Sequence, residues 1–589
     1  MQVPPQLPDP LLEGTAASAI HETLALLTLS DPDLEETELE GEMHPQLELA
    51  AIGADTTRAD PETIQKARTL DDWPEWDLSI RKELTQHKRM GTWILVEPPD
   101  DANIVGSRMV LRYKRNEAGE IVSRKSRFVA QGFSQAEGID YAETFAPTAK
   151  LSAIRIISAI AVRNNWELEQ TDVDGAYLNA PLKETIYMRQ AKGYEAPGKE
   201  HYVCLLKRAI YGLKQAGREW YELLCKMMLA LNFKRCRVEH AVFYKYEGGD
   251  ALIVAADVDD MTIAGNSKDA IKGFKEGLSR EVKIKDLGDL RWMLGIEVER
   301  DREARTISFS QCAYISKILD QFGLQDAHPL STPLDPHHKL SLAQCPDNPR
   351  QYRAMRNVPY REAIGSLMYA ALGTRPDIMF AVTFLSQFMQ NPGRAHWEEV
   401  KRVFRYLKGT IGWKLTIGKG GYWNWAEEGK QDRIGLEGFT DADGASQYHR
   451  HSISAYIFTI DRGAVSWSSK KQPIITLSTT EAEYVAATHA AKEALWIRMF
   501  ITEITWPLLQ PVTFYCDSQS AITVSKDDKF HAHTKHIDIW YHFIWDVAEH
   551  GLISVYHCPG SDMVADMLTK ALHAPQLMHL CRSVGLRSA

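Results

Sequence analysis

The sequence predicts a multidomain chain of mixed class, α+β together with α/β. Three observations carry that prediction. Its 589 residues allow three or four domains. Its composition, 44% apolar and 25% charged, is that of ordinary globular protein. A pattern of strand-like runs ending in carboxylates, interleaved with helical periodicity, occurs once before residue 310 and again from residue 436.

Charge is unevenly spread. Residues 1–75 hold 17 acidic and 3 basic residues, a net of −14, whereas the whole chain is −10, so the remainder is slightly basic. Residues 1–65, rich in Pro, Glu, Asp and Leu, read as a disordered acidic leader with one short helix around Ala16–Leu29. The eight cysteines form no C-x-x-C pair, which predicts reduced thiols and an intracellular chain. No secretory signal pattern opens the sequence, and no apolar run approaches the roughly 18 residues of a membrane span.

Order is expected from Trp73. Trp76 to His87 has helical spacing, and Thr92 to Val96 reads as a strand. Val105–Lys114 and Ile121–Phe133 read as two strands joined by a turn at Asn116–Gly119. Leu151–Asn164 is an apolar helix, followed by a strand that ends at Asp172. Tyr202–Lys207 is a strand and Arg218–Leu231 a helix. Ala241–Gly265 gives a strong hairpin signal, in which Val242–Tyr246 alternates, Gly248-Gly249-Asp250 turns, and Leu252–Val258 returns. Residues 325–350 read as a linker, and 357–416 carry helical patterns. In one of these, His396–Leu407, the cations Lys401, Arg402, Arg405 and Lys408 serve either an amphipathic surface or a phosphate grip.

The first acidic constellation is Asp172 with the adjacent pair Asp259 and Asp260. Apolar strands do not readily bury that much negative charge unless it is neutralised. Divalent cations would do so, and carboxylate oxygens suit Mg²⁺. Two such ions can drive in-line phosphoryl transfer. Taken singly, the Asp259-Asp260 turn could equally be an exposed hairpin tip.

From residue 436 the pattern restarts. Leu436–Phe439 leads into Asp441, and Ser454–Ile460 and Gly463–Ser468 read as antiparallel strands. Glu481 lies near the start of a long helix through Trp496. Val512–Cys516 is a strand ending at Asp517, and Asp566 opens a late helix. Four carboxylates from different elements can converge on two metal ions about 4 Å apart. Any one alone could be a cap or a first-turn acid.

With these segments in place, the chain resembles the C-terminal part of a copia-type LTR-retrotransposon Pol polyprotein, reverse transcriptase joined to RNase H, from about Trp76 to Leu586. The resemblance rests on Lys125–Phe133, Gly138–Pro147, Tyr211–Gln215, Thr374–Ile378, Ser466–Gln472 and Thr534–Asp538, in that order. It implies a right-hand polymerase with fingers, palm and the start of the thumb at 70–325, a linker and connection at 326–432, an RNase H-like domain at 433–575 and a C-terminal tail at 576–589. Asp172, Asp259 and Asp260 match the palm metal triad, and Asp441, Glu481, Asp517 and Asp566 the RNase H quartet. Arg127 matches a residue that touches the triphosphate, Tyr177 an aromatic beneath the sugar, and Gln215 a residue lining the nucleotide pocket. The implied cofactors are two Mg²⁺ per site, with Mn²⁺ as a substitute. The implied partners are RNA template, DNA primer, RNA–DNA hybrid and dNTPs, with no membrane, in the cytoplasm (a virus-like particle) or the nucleus.

The sequence departs from the family at several points. Asp257 stands where the hairpin usually has Tyr or His, and strand alternation would put it on the face of Asp259. Gly217 replaces a usual Pro, and Gly444–Gln447 lacks a usual Trp. His531, His533 and His536 belong to a family pattern in which His533 replaces Arg, rather than to a metal site. Protease, integrase and Gag zinc-knuckle signatures are absent. The reading set against an active enzyme is a catalytically decayed or co-opted nucleic-acid-binding remnant.

Overall fold

A computed structural model describes residues 60–588 apart from 116–120, 419–434, 444–450, 477, 506–507, 509 and 525–537. The leader, the Asn116–Gly119 turn, the Gly444–Gln447 stretch and the three clustered histidines therefore lie outside the described residues.

A six-stranded antiparallel sheet holds the first acidic turn. Its order across the sheet is Ile284–Asp289, Glu167–Val173, Asp260–Gly265, Asp250–Asp257, Val242–Glu247 and Lys234–Arg235. The period-two geometry of strands gives it two apolar faces. Val173, Val254, Ala256, Met261 and Ile263 pack on Trp220 and Leu224 of helix Ala216–Ala230 and on Phe274 and Leu278 of helix Lys268–Ser279. Leu168, Ile253, Ala255 and Ala264 on the other face pack toward Ile154, Ile157 and Ile160 of helix Leu151–Arg163. The expected hairpin is present. Gly248 and Gly249, at φ +62° and +93°, make its two-residue turn, a backbone that glycine adopts without steric cost.

Before this sheet, Ser107–Arg115 pairs with Ile121–Ala130, and helix Trp73–Met90 packs against the second of these strands. A small four-stranded sheet includes Trp93–Val96 and Val203–Leu206.

The segment between the two acidic constellations is packed, not a tether. Helices Tyr360–Gly373, Met379–Ser386 and Arg394–Gly409 contribute to the same core as helix Leu151–Arg163. The cations of the last helix have partners within the fold. Lys401 pairs with Glu398, Arg402 with Asp335, and Arg405 donates to the His328 carbonyl.

The second mixed sheet runs Gly463–Lys471, Ile453–Ile460, Leu436–Ala442, Val512–Cys516 and Ile553–His557, with the last two pairings parallel. The 26-residue helix Thr479–Ile504 lies across it, capped by Ser478, whose hydroxyl accepts the Glu481 amide. A stripe of Ala482, Ala486, Ala490, Ala491 and Ala494 lets helix and sheet approach closely. The late acid Asp566 lies on a 3-10 turn, Val564–Leu568, in place of the expected helix.

The residues expected as a tail form helix Ala574–Ser583 and strand Leu586–Ser588. That strand pairs with Trp413–Gly418 and completes a five-stranded sheet begun at Trp292. One buried cation ties these parts together. Arg155 donates to the carbonyls of Leu372, Gly373 and Val465, and its guanidinium lies 4.1 Å from the Trp467 ring centroid.

Candidate active sites

The first site is a row of carboxylates across three strands. Asp172 is the direct cross-strand partner of Asp260, and Asp260 is the direct partner of Asp257 across the turn. Residues directly opposite each other project to one face, so these three side chains stand abreast, with Lys285 beside Asp172 on the next strand. Asp259 occupies the turn itself, and its carbonyl accepts the Val173 amide at 2.8 Å. The three aspartates expected from sequence therefore lie at one end of the sheet, with Asp172 near enough to act on Asp259, but their oxygens are not grouped within 4.8 Å of one another. Asp257 is placed differently from the expectation, because alternation stops where the strand turns: it stands abreast of Asp260 and not of Asp259. It lines a small groove with Asp260, Gln170, Thr262 and the Trp292–Met293 strand.

Burial raises the Asp259 carboxyl above its ordinary range, and the charge of Asp172 adds to this. The charges of Arg127 and Lys125 oppose the shift, so both lie near this carboxylate. They are two apart on one strand and share its face. Burial lowers the Lys125 ammonium, and the neighbouring Arg127 charge lowers it further. The Arg127 guanidinium sits 4.8 Å from the Tyr211 ring centroid, and Tyr211 meets Tyr177 edge-on at 4.9 Å. Arg127 and Tyr177 thus belong to one wall, with Tyr211 between them. Sequence reasoning missed Lys125 and Tyr211; for Lys125 the signal was there, in the strand spacing to Arg127.

Gln215 is committed within the protein. It is buried at the start of helix Ala216–Ala230, where its amide donates to the Asp140 carbonyl and its oxygen accepts from Gln135. It holds the 131–149 loop, and reaching a nucleotide would break those bonds.

The second site is tighter. Ligand oxygens of Asp441, Asp517 and Asp566 lie within 4.8 Å of one another, and so do ligand atoms of Glu483, Cys516 and Asp517. Strand ends supply Asp441 and Asp517, and the 3-10 turn supplies Asp566. The helix supplies Glu483, not Glu481. Two residues turn a helix by about 200°, so these glutamates point to opposite sides. Glu483 is buried with the alanine stripe, and its Oε2 accepts the Ala442 amide at 3.1 Å. Glu481 is half-buried at the first turn and belongs to neither cluster. Spacing could have found this, since Glu483 leads Ala486, Ala487 and Ala490 at i+3, i+4 and i+7.

Burial and mutual repulsion hold protons in this second site. Glu483 is pushed up to about 9 by burial, then by Asp441 and Asp517. Asp566 is pushed up to about 7 by burial and by Asp441, while Lys570 pulls the other way. The Lys570 ammonium is 2.8 Å from Asp566 Oδ1 and 3.7 Å from Asp441 Oδ2, and the Thr569 hydroxyl donates to Asp441. Burial keeps the Cys516 thiol protonated, leaving an all-oxygen donor set that suits a hard divalent cation. Three buried acids and the half-buried Asp517 around one cation are under-neutralised, which fits a site built for metal.

A sequence profile of the family described as reverse transcriptase (RNA-dependent DNA polymerase) matches residues 90–336. The chain is 38% identical over 557 residues to a retrovirus-related Pol polyprotein from transposon TNT 1-94 of Nicotiana tabacum, covering 94% of this chain and 41% of that one. It is 30% identical over 325 residues to a putative transposon Ty5-1 protein of Saccharomyces cerevisiae, covering 55% of this chain and 99% of that protein. A foamy viral protease-reverse transcriptase, solved in complex with an RNA/DNA hybrid, aligns over 95% of this chain and 64% of that one at 11% identity, with a TM-score of 0.39. The chain spans less than half the length of the tobacco polyprotein.

Proposed function

Given that the chain belongs to the copia-type family of LTR-retrotransposon Pol polyproteins and carries its reverse transcriptase domain, we propose that it is an RNA-directed DNA polymerase with RNase H activity, working through two divalent ions at each site. The observation that carries this reading is the presence, in one chain, of two acidic clusters at strand ends, the second with three aspartate oxygens within 4.8 Å. Residues 70–325 are read as fingers, palm and the start of the thumb, 326–432 as linker and connection, and 433–575 as the RNase H-like domain.

At the first site Asp172, Asp259 and Asp260 would hold magnesium, which supplies charge stabilisation at the reacting phosphate. Arg127 and Lys125 bring cations to the same space, where guanidinium geometry suits a triphosphate. Tyr177 and Tyr211 close the wall beside them and offer an aromatic surface to the sugar. At the second site Asp441, Glu483, Asp517 and Asp566 would hold the metal, and Lys570 balances part of their charge before it binds. Selection of hybrid would rest on A-form shape and 2′-OH contacts.

One observation favours the alternative of a catalytically weakened remnant. Asp257 adds a fourth carboxylate beside the groove at Asp260, where a primer phosphate would approach.

The test gives purified protein a primed RNA template with dNTPs and Mg²⁺, and in parallel a labelled RNA–DNA hybrid. Extension abolished by Asp259→Asn and cleavage abolished by Asp441→Asn support the reading. Hybrid binding with neither activity supports the remnant.

A further inference from the structure

Val258 separates the two aspartates of strand and turn, Asp257 and Asp259, and its φ is +54°. A β-branched side chain seldom adopts that backbone, because its Cβ crowds the carbonyl. Such a conformation persists where neighbours over-determine it. Two hydrogen bonds do so here, one on each turn carbonyl. The Val173 amide, next to Asp172, donates to the Asp259 carbonyl at 2.8 Å. The indole N–H of Trp220 donates to the Val258 carbonyl at 2.6 Å.

Trp220 is 2% exposed on helix Ala216–Ala230, within the apolar core against which Val258 also packs. That helix lies behind the sheet, so the indole reaches the turn from the side away from the carboxylate row. The bond fixes the plane of the 258–259 peptide, and that plane sets where the Asp259 side chain begins. Without it, the strained residue is free to relax by rotating this peptide.

We propose that Trp220 is a positioning residue of the first active site, holding the strained turn so that Asp259 stays aligned with Asp172. This rests on the polymerase reading above. Trp220 touches neither substrate nor metal, and its effect passes through the Val258 carbonyl.

Trp220→Phe keeps an aromatic ring in the core and removes the N–H. Val258→Gly removes the strain that the bond restrains, since glycine adopts positive φ freely. Four proteins are compared: the unaltered chain, each single variant and the double variant. Each is assayed for primer extension, for the Mg²⁺ midpoint of extension, for cleavage of an RNA–DNA hybrid by the same preparation, and for hydrogen exchange at the Val173 amide.

The expected result for Trp220→Phe is a fall in kcat for extension of about 100-fold, the scale of a displaced catalytic group. The KM for primed template and the rate of hybrid cleavage stay unchanged, the Mg²⁺ midpoint rises, and Val173 exchange quickens. The double variant recovers most of the lost kcat and slows that exchange again. Unchanged extension with unchanged exchange overturns the proposal. So does joint loss of both activities, or a double variant no better than the single one, because the ring would then act through folding alone. If the unaltered chain extends no primer, the polymerase reading fails, and the exchange result still decides the clamp: faster in Trp220→Phe and restored in the double variant supports it, and no change overturns it.

Discussion

Glu483 reaches back from the second turn of its helix to accept the amide of Ala442, the residue after Asp441, at 3.1 Å. The bond joins helix to strand end and sets the glutamate among the three aspartates. We expect Glu483→Gln to lower hybrid cleavage by at least about 100-fold, as loss of a preorganised charged group in a dry site does. Glu481→Gln, at the half-buried first turn of the same helix, should stay within about threefold of the unaltered chain. Both rates are read from a labelled hybrid, with primer extension by the same protein as a control for folding. Equal losses from the two variants would refute the assignment.

The raised carboxyls of the second site make stability depend on pH and metal together. Glu483 and Asp566, held up to about 9 and about 7, keep protons that the unfolded chain releases near pH 4. The folded state therefore binds more protons than the unfolded one between those values, and metal-free stability falls as pH rises through that window. Magnesium taken up by the ionised form would offset the loss, adding about 2.7 kcal/mol at 100 times its Kd. Calorimetry with EDTA or Mg²⁺ should show the larger metal-induced rise in Tm at about pH 8.5 and the smaller at about pH 6. Asp566→Asn should raise the metal-free Tm at the higher pH. An equal metal increment at both pH values would count against this.

Asp257 stands abreast of Asp260 and Asp172, a closer arrangement than simple alternation suggests. Two carboxylates about 5–7 Å apart near the surface repel by roughly 2–3 kcal/mol before solvent screening, and Asp257 is only half-buried. The charge also faces the groove shared with Trp292 and Met293. Asp257→Tyr and Asp257→Asn should each increase steady-state extension by about three- to tenfold, chiefly through KM for primed template. A salt titration separates charge from bulk, because the advantage of either variant should shrink as ionic strength rises. Rates equal to the unaltered chain would show that this position does not limit the reaction.

How far these sites were legible depended on whether the signal was local. The strand Val512–Cys516 has the expected bounds, because a short alternating run ends in the turn-forming Asp517-Ser518. The hairpin at Gly248-Gly249 was legible for the same reason. The choice between Glu481 and Glu483 needed the helix period, and the acid nearer the cap was the wrong one of the pair. The place of Asp257 could not follow from alternation, since a tight turn resets which residues are opposite. The strand Leu586–Ser588 has three residues and a partner far back in the chain, at Trp413–Gly418, so no local pattern specifies it. Gln215 was assigned from resemblance alone, and its buried bonds to the 131–149 loop depend on long-range packing.

Arg155 had no sequence signal beyond being a charge in an apolar helix, yet it sits where three parts of the protein meet. It is wholly buried, and burial lowers its guanidinium to about 9, still protonated at neutral pH. Its donors satisfy two carbonyls at the end of helix Tyr360–Gly373 and one on strand Gly463–Lys471 of the second sheet. Trp467, stacked on it, donates its own N–H to the Ala371 carbonyl. Arg155→Ala would leave three buried acceptors without these donors, each costing about 1–3 kcal/mol, less the relief of no longer burying a charge. The net loss should be about 3 kcal/mol or more, and it should fall on the joint between helix Leu151–Arg163, helix Tyr360–Gly373 and the second sheet rather than on either site. We therefore expect calorimetry to resolve two transitions where the unaltered chain gives one, and mild proteolysis to cut between residues 373 and 463. Arg155→Lys, a point charge with a shorter reach, should recover less than half of the loss. A single transition at the original Tm would show that these elements are held together by apolar packing alone.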